Sequence, residues 1–122
     1  TDPGMGDSIA AAVRATRSAA GGWMVLPADL PLVQANTLVT IARAPLEGEV
    51  LVPIFAGQRG HPVRFAADCG DALVDLKGNQ GAAPVVSARA ASKLIVNDAG
   101  CVLDIDTVAD LERARATWRQ GP

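Results

Sequence analysis

Three features of these 122 residues predict a three-layer α/β domain built on a mixed sheet. Short apolar runs bounded by Gly and Pro alternate with segments whose apolar residues recur at helical spacing, as they do when strands are joined through helices. Two strand-like runs are joined instead by a four-residue glycine-bearing connection, which puts an antiparallel pair into the sheet. The composition, 49% hydrophobic and 20% charged, supplies the core of a single domain without disulfides or structural zinc.

Taken in order, Asp7 to Ala20 carries Ile9, Ala12, Val13 and Thr16 at helical spacing, with Asp7 or Ser8 placed to cap the first amides. Gly21-Gly22 stops that helix, and Trp23-Met24-Val25-Leu26 is a continuous apolar run, expected as a strand covered on both faces. After the turn Ala28-Asp29-Leu30-Pro31, Val33 to Ala44 places Leu38, Ile41 and Ala42 on one side of a helix. Val50 to Phe55 and Pro62 to Phe65 form the predicted hairpin across Gly57 to Gly60. Ala66 to Leu76 and Gln80 to Ala91 read as helices, Pro84 falling in the first turn of the second, where its missing N–H is harmless. Lys93 to Val96 and Val102 to Ile105 are the last strands. Thr107 to Trp118 closes the chain as an amphipathic helix opened by the capping-box pattern Thr107-x-x-Asp110.

Composition also excludes. A formal net charge of −2 with two Trp, two Phe and no Tyr offers no basic, aromatic surface for nucleic acid. The apolar runs are about five to seven residues long, against roughly 20 for a membrane span. Cys69 and Cys101 form no CxxC pair, and one histidine cannot complete a zinc set with them, so two reduced, buried thiols and a cytoplasmic location are expected. The chain opens Thr1-Asp2-Pro3 and runs directly into organised sequence, which suggests part of something longer.

Four places carry candidate chemistry. Leu26-Pro27-Ala28-Asp29-Leu30-Pro31 delivers a carboxylate to the end of a strand, where open α/β sheets bind ligands. Its prolines limit the backbone, which suits an oxygen ligand for Mg²⁺; a turn or helix-capping Asp is the alternative. In Leu103-Asp104-Ile105-Asp106-Thr107, strand geometry sends Asp104 and Asp106 to the same side. Asp106 has a ready role as a helix cap, whereas Asp104 in an apolar strand needs a charge partner, and a divalent ion shared with Asp29 would supply one. Arg59-Gly60-His61-Pro62-Val63-Arg64 sets two arginines beside an imidazole, suited to phosphate, with Gly60 allowing close approach by a ligand or another backbone; a solvated hairpin whose histidine merely packs explains it somewhat better on local grounds. Gly4-Met5-Gly6-Asp7-Ser8 leads into a helix N-terminus whose amides can receive phosphate, although a plain helix start looks the same.

Together with Gly78-Asn79-Gln80-Gly81-Ala82, these segments occur in the order seen in the MobA/MocA-like nucleotidyltransferases, which the chain resembles over nearly its whole length. The resemblance is nearest to the molybdenum cofactor cytidylyltransferase branch. It implies a Rossmann-like nucleotidyltransferase fold, here N-terminally truncated, with residues 1–122 as the C-terminal major part of one domain. It also implies a Mg²⁺-dependent transfer of a nucleoside monophosphate, from CTP or GTP, to the phosphate of a molybdopterin-type acceptor with release of pyrophosphate. By the same resemblance Asp29 and Asp104 are the catalytic metal ligands and Asp106 an auxiliary ligand or cap. Gly60, His61 and Pro62 border the pterin side, and Gly4, Met5, Gly6 and Ser8, with Pro27 and Ala28, contact substrate.

Two departures qualify it. The family's first strand and its glycine-rich loop bearing Arg and Lys have no counterpart, so this chain alone is expected to bind nucleotide poorly and to be inactive. Asn79 and Ala83 stand where the family usually has an acidic residue and often an Arg. The rival expectations are a non-catalytic assembly partner that completes its sheet with another chain, for instance as a homo-oligomer, and a guanylyl- or sugar-phosphate nucleotidyltransferase.

Overall fold

The computed structural model describes residues 4–103 together with 109, 112, 113 and 115. In chain order the elements are α1 (Met5–Thr16), β1 (Gly22–Val25), α2 (Ala35–Arg43), β2 (Val50–Phe55), β3 (Gln58–Arg59), β4 (Val63–Ala66), α3 (Gly70–Val74), α4 (Ala83–Ser87) and β5 (Ala91–Ile95). Single 3-10 turns at Ala67–Cys69 and Ala99–Cys101 complete the set. The strands hydrogen-bond in the order β1-β4-β2-β3, with β5 also on β2. The chain divides into two compact units. One comprises the described part of Thr1–Met24 with Leu46–Leu51 and Arg64–Ser92; the other comprises Val25–Pro45, Val52–Val63 and the described part of Lys93–Pro122.

In the first unit α1 packs on α3 through Ala10 and Val13, and the core is completed by Val50, Leu51, Phe65, Cys69, Leu73, Leu76 and Val85. The helix begins earlier than its side-chain pattern predicts, at Met5 with Gly4 as N-cap, so Asp7 sits inside the first turn and not at the cap. Its buried face is Gly6, Ala10 and Val13, whereas Ala12 and Thr16 are exposed. Gly6 belongs to that face because the backbone of Lys77 and Gln80 approaches so closely that a Cβ would meet it at 2.5 Å. Two arginines fasten α1 to α3: Arg14 Nη2 donates to the Val74 carbonyl at 2.7 Å, and Arg17 pairs with Asp71.

The expected doubly covered strand is where sequence and structure differ most. Residues 22–25 do form β1, but it ends the strand order among the described residues, and Met24 and Leu26 are 41% and 39% exposed. The fully buried strand is β2, in which Val50 to Ile54 are all inside. A continuous apolar run marks a strand without telling whether it will be central or at the edge.

The predicted hairpin is present but broken. A two-residue turn, Ala56-Gly57, with φ of 51° and 80°, brings β3 back along β2, pairing Phe55 with Gln58 and Ile54 with Arg59. Positive φ at both central positions defines a type I′ turn, whose twist matches that of the strands. Farther along, β4 pairs Val50 with Phe65 and Leu51 with Arg64, a register slipped by two residues. The extra residues bulge out at Gly60 to Pro62, where the His61–Pro62 peptide is cis.

In the second unit Leu30, Ile41, Val52, Ile54, Val63 and Cys101 form the core, with Pro53 and Pro62 wholly inside. Helix α2 buries Thr37 and Ile41; Leu38 is half-buried and Ala42 exposed, so the buried stripe includes a hydroxyl that the apolar pattern passes over. Pro84 occupies the first turn of α4, as predicted. Ala99–Cys101 is a 3-10 turn and Val102 closes it, where a strand from Val102 was expected; Ala109, Glu112, Arg113 and Arg115 are helical and exposed. The expectations for Asp104, Asp106 and the Thr107 cap lie outside the described residues.

Candidate functional site

Strand β1 ends at Val25, and Pro27 opens the turn that follows: the Leu30 N–H donates to the Pro27 carbonyl at 3.2 Å. Leu30 is 2% exposed and anchors the turn from beneath, leaving Asp29 half-buried at its rim. Among the described residues the Asp29 carboxylate accepts no hydrogen bond and forms no ion pair, so it neither closes the turn nor caps α2. Its lone pairs are available to an oxygen-seeking cation, and the fixed turn suits one. No group of three His, Cys, Asp or Glu side chains able to hold a metal occurs among the described residues, and Asp104 and Asp106 are not among them.

The Gly60-His61-Pro62 segment is set by the bulge. Gly60 donates to the Pro53 carbonyl at 2.9 Å, the last bond of the β3 register, and the His61 N–H then turns away to the Cys101 carbonyl, also 2.9 Å. A Cβ on Gly60 would stand 2.5 Å from the Cys101 carbonyl oxygen. The close approach inferred from this glycine is therefore to another backbone. Pro62 is buried, so of the three only the half-buried His61 side chain is placed to meet a ligand.

The glycine-rich start is also accounted for locally. The Gly78 carbonyl accepts from the amides of Gly6 (2.8 Å) and Asp7 (3.3 Å), while the Asp7 carboxylate accepts from Gly78 (2.9 Å) and Gly4 (3.1 Å). Two of the amides counted on for phosphate are thus taken by a neighbouring loop, and the exposed Met5 and Ser8 side chains remain. Those bonds, to Gly78 first and Gly4 second, hold the Asp7 carboxyl below its ordinary value of 3.8. The segment around Gly4, expected to contact substrate, and the one around Asn79, where the chain departs from the family's usual acidic residue, meet here: a Cβ on Gly4 would collide with the Gly78 carbonyl and the Asn79 side chain.

Neither thiol is a candidate nucleophile. Cys69 and Cys101 are fully buried and unpaired; burial raises the first and pushes the second up to about 11, the Asp98 charge adding to the effect.

Asp98 itself went unnoticed in the sequence. It is 3% exposed and satisfied on every side: Oδ2 accepts from the Gln34 N–H (2.9 Å) and the Thr37 hydroxyl (2.7 Å), and Oδ1 from the Gly100 N–H (2.9 Å). The only local signal was Asn97-Asp98-Ala99-Gly100, which reads as an ordinary turn.

With this geometry in place, comparison with known proteins gives the family. The model of the MobA-like NTP transferase domain matches residues 1–94, and the chain belongs to that family. A search of curated proteins finds no match. Among solved structures, the homologue of Mycobacterium tuberculosis Rv0371c from Mycobacterium sp. strain JC1 superposes with a TM-score of 0.76 at 23% identity over 93% of this chain. Rv0371c from M. tuberculosis H37Rv gives 0.65 at 30% identity over 86%, and the same protein in complex with manganese gives 0.70 at 30% over 87%. The chain spans 58% of the length of each. Its fold is the mixed α/β nucleotidyltransferase fold of these proteins. Among the described residues no helix is long and apolar enough to cross a membrane.

Proposed function

We propose that the full-length protein transfers a nucleoside monophosphate from a nucleoside triphosphate to the phosphate of a molybdopterin-type acceptor, releasing pyrophosphate, with CTP as the preferred donor. The observation that carries this reading is the Asp29 carboxylate, on a proline-bracketed turn at the end of β1 with no protein partner among the described residues, in a chain of the MobA-like NTP transferase family. Asp29 would hold Mg²⁺, with Asp104 as second ligand and Asp106 as auxiliary ligand or cap; the Rv0371c complex shows a relative that takes manganese. Such an ion, when bound, neutralises charge on the α-phosphate and the departing pyrophosphate.

The remaining work falls to the chain's own residues. An oxygen of the acceptor phosphate forms a bond to the α-phosphorus while the bond from that phosphorus to the bridging oxygen breaks in line, and pyrophosphate leaves with the electron pair. No protein nucleophile takes part, in keeping with two inert thiols. His61 would border the acceptor, and Ala28, beside Asp29, is an exposed side chain available to the nucleotide.

Asp29→Asn in the full-length protein tests the assignment. The expected result is a loss of turnover of about a hundredfold or more with an unchanged melting temperature; near-normal turnover overturns it. Turnover with CTP, GTP and ATP tests the donor. A preference for GTP or ATP overturns the cytidylyl part and leaves the transfer chemistry standing.

A further inference from the structure

Both loops of the second unit that carry candidate site residues end on the same short turn. The loop after Asp29 runs through Leu30 to Gln34, and its far end is held by the Gln34 N–H and the Thr37 hydroxyl on Asp98 Oδ2. Gly100 packs against the Leu32 carbonyl so closely that any Cβ would collide with it. One residue on, the Cys101 carbonyl accepts from His61 and abuts Gly60. Asp98 orients this turn from within, by accepting from the Gly100 N–H.

Helix α2 starts without a local cap: the side chain of its N-cap, Gln34, makes no capping bond. Its entry is held instead by a carboxylate 64 positions away, which accepts from the Gln34 N–H and the Thr37 hydroxyl, and the same group sets the turn that grips the His61 bulge. A Ser at position 34 could accept from a first-turn amide but could not replace Asp98, which receives the N–H of that residue itself. A carboxylate used this way fixes geometry between loops as well as stabilising a helix.

We infer that Asp98 is a positioning residue of the proposed site, holding the loop that bears Asp29 and the bulge that bears His61 to one turn so that their spacing is fixed. This rests on the reading of Asp29 as a metal ligand. Asp98 touches no reacting group; it is buried and acts through Gln34, Thr37 and Gly100.

The test uses full-length protein carrying Thr37→Val, Thr37→Ser, the double variant Gln34→Ser/Thr37→Val, and Asp29→Asn. Mn²⁺ dissociation constants are read by electron paramagnetic resonance, KM for nucleotide and acceptor are measured separately from kcat, and stability comes from urea unfolding. Thr37→Val is expected to weaken Mn²⁺ about tenfold and to raise the acceptor KM, with Thr37→Ser near the parent in both. The double variant supplies a local cap, so it should recover stability while Mn²⁺ affinity stays low; it also provides a folded protein should Thr37→Val unfold. Recovery of stability and Mn²⁺ affinity together, or unchanged Mn²⁺ affinity and KM in a destabilised Thr37→Val, would reduce Asp98 to a helix cap and overturn the inference. Unchanged Mn²⁺ affinity in Asp29→Asn would instead remove the metal reading on which it stands.

Discussion

Asp7 ties the start of the first helix to the Gly78 loop, and the tie is pH-sensitive. Its carboxylate accepts from Gly78 and Gly4, and both bonds favour the charged form, so its folded pKa lies below the unfolded one. A depressed carboxyl contributes stability above the unfolded value, and that contribution fades as pH falls through the folded value. Asp7→Asn should therefore lower the melting temperature at neutral pH, and the gap from the parent should shrink steadily as the solution is acidified below about pH 4; a gap that widened would reverse the assignment. At this scale legibility depended on distance along the chain. Asp29 stood out because prolines bracket it and a strand leads to it. Asp98 did not, because its meaning lies in Gln34 and Thr37, 64 and 61 positions away, and nothing in a four-residue turn motif points there. Gly60 was read correctly as a close-approach glycine, but the partner, the Cys101 backbone, could not be named from sequence.

Among the elements, the β2–β3 turn carries an avoidable cost. Ala56 adopts φ of 51°, a conformation that costs an L-residue with a Cβ roughly 1–2 kcal/mol, whereas Asn tolerates it and Asn-Gly is the preferred type I′ pair. Ala56→Asn is expected to stabilise by about 0.5–1 kcal/mol, seen as a higher urea midpoint at unchanged slope; a lower midpoint would mean that the turn is not of this type. The hairpin was legible because glycine punctuation between apolar runs is a local signal. The two-residue register slip was not, since it arises where the chain turns the His61 amide toward Cys101. Strand burial failed in the same way: both 23–26 and 50–55 are apolar runs, and only hydrogen-bond order shows that β2 lies inside and β1 at the end of the path.

For the molecule as a whole, the two thiols provide one reporter in each compact unit, Cys69 in the first and Cys101 in the second, both fully buried. Modification of either requires opening, because a buried thiol reaches reagent only when its surroundings part. Strand β2 belongs to both units: Val50 and Leu51 lie in the core of the first, Val52 and Ile54 in that of the second. Releasing the strand from either core breaks a continuous run of five buried residues, which should make opening a shared event. Single-thiol variants, Cys69→Ala and Cys101→Ala, labelled with a chromogenic disulfide under native conditions, should accordingly give opening free energies that agree within about 1 kcal/mol of each other once each is referred to its own unfolded protein. The stability lost by removing each side chain would be measured separately by urea unfolding and subtracted. If Cys101 labels a hundredfold faster than Cys69 after that correction, the second unit, with Asp29, His61 and Asp98, opens on its own, and the continuity of β2 does not couple the two.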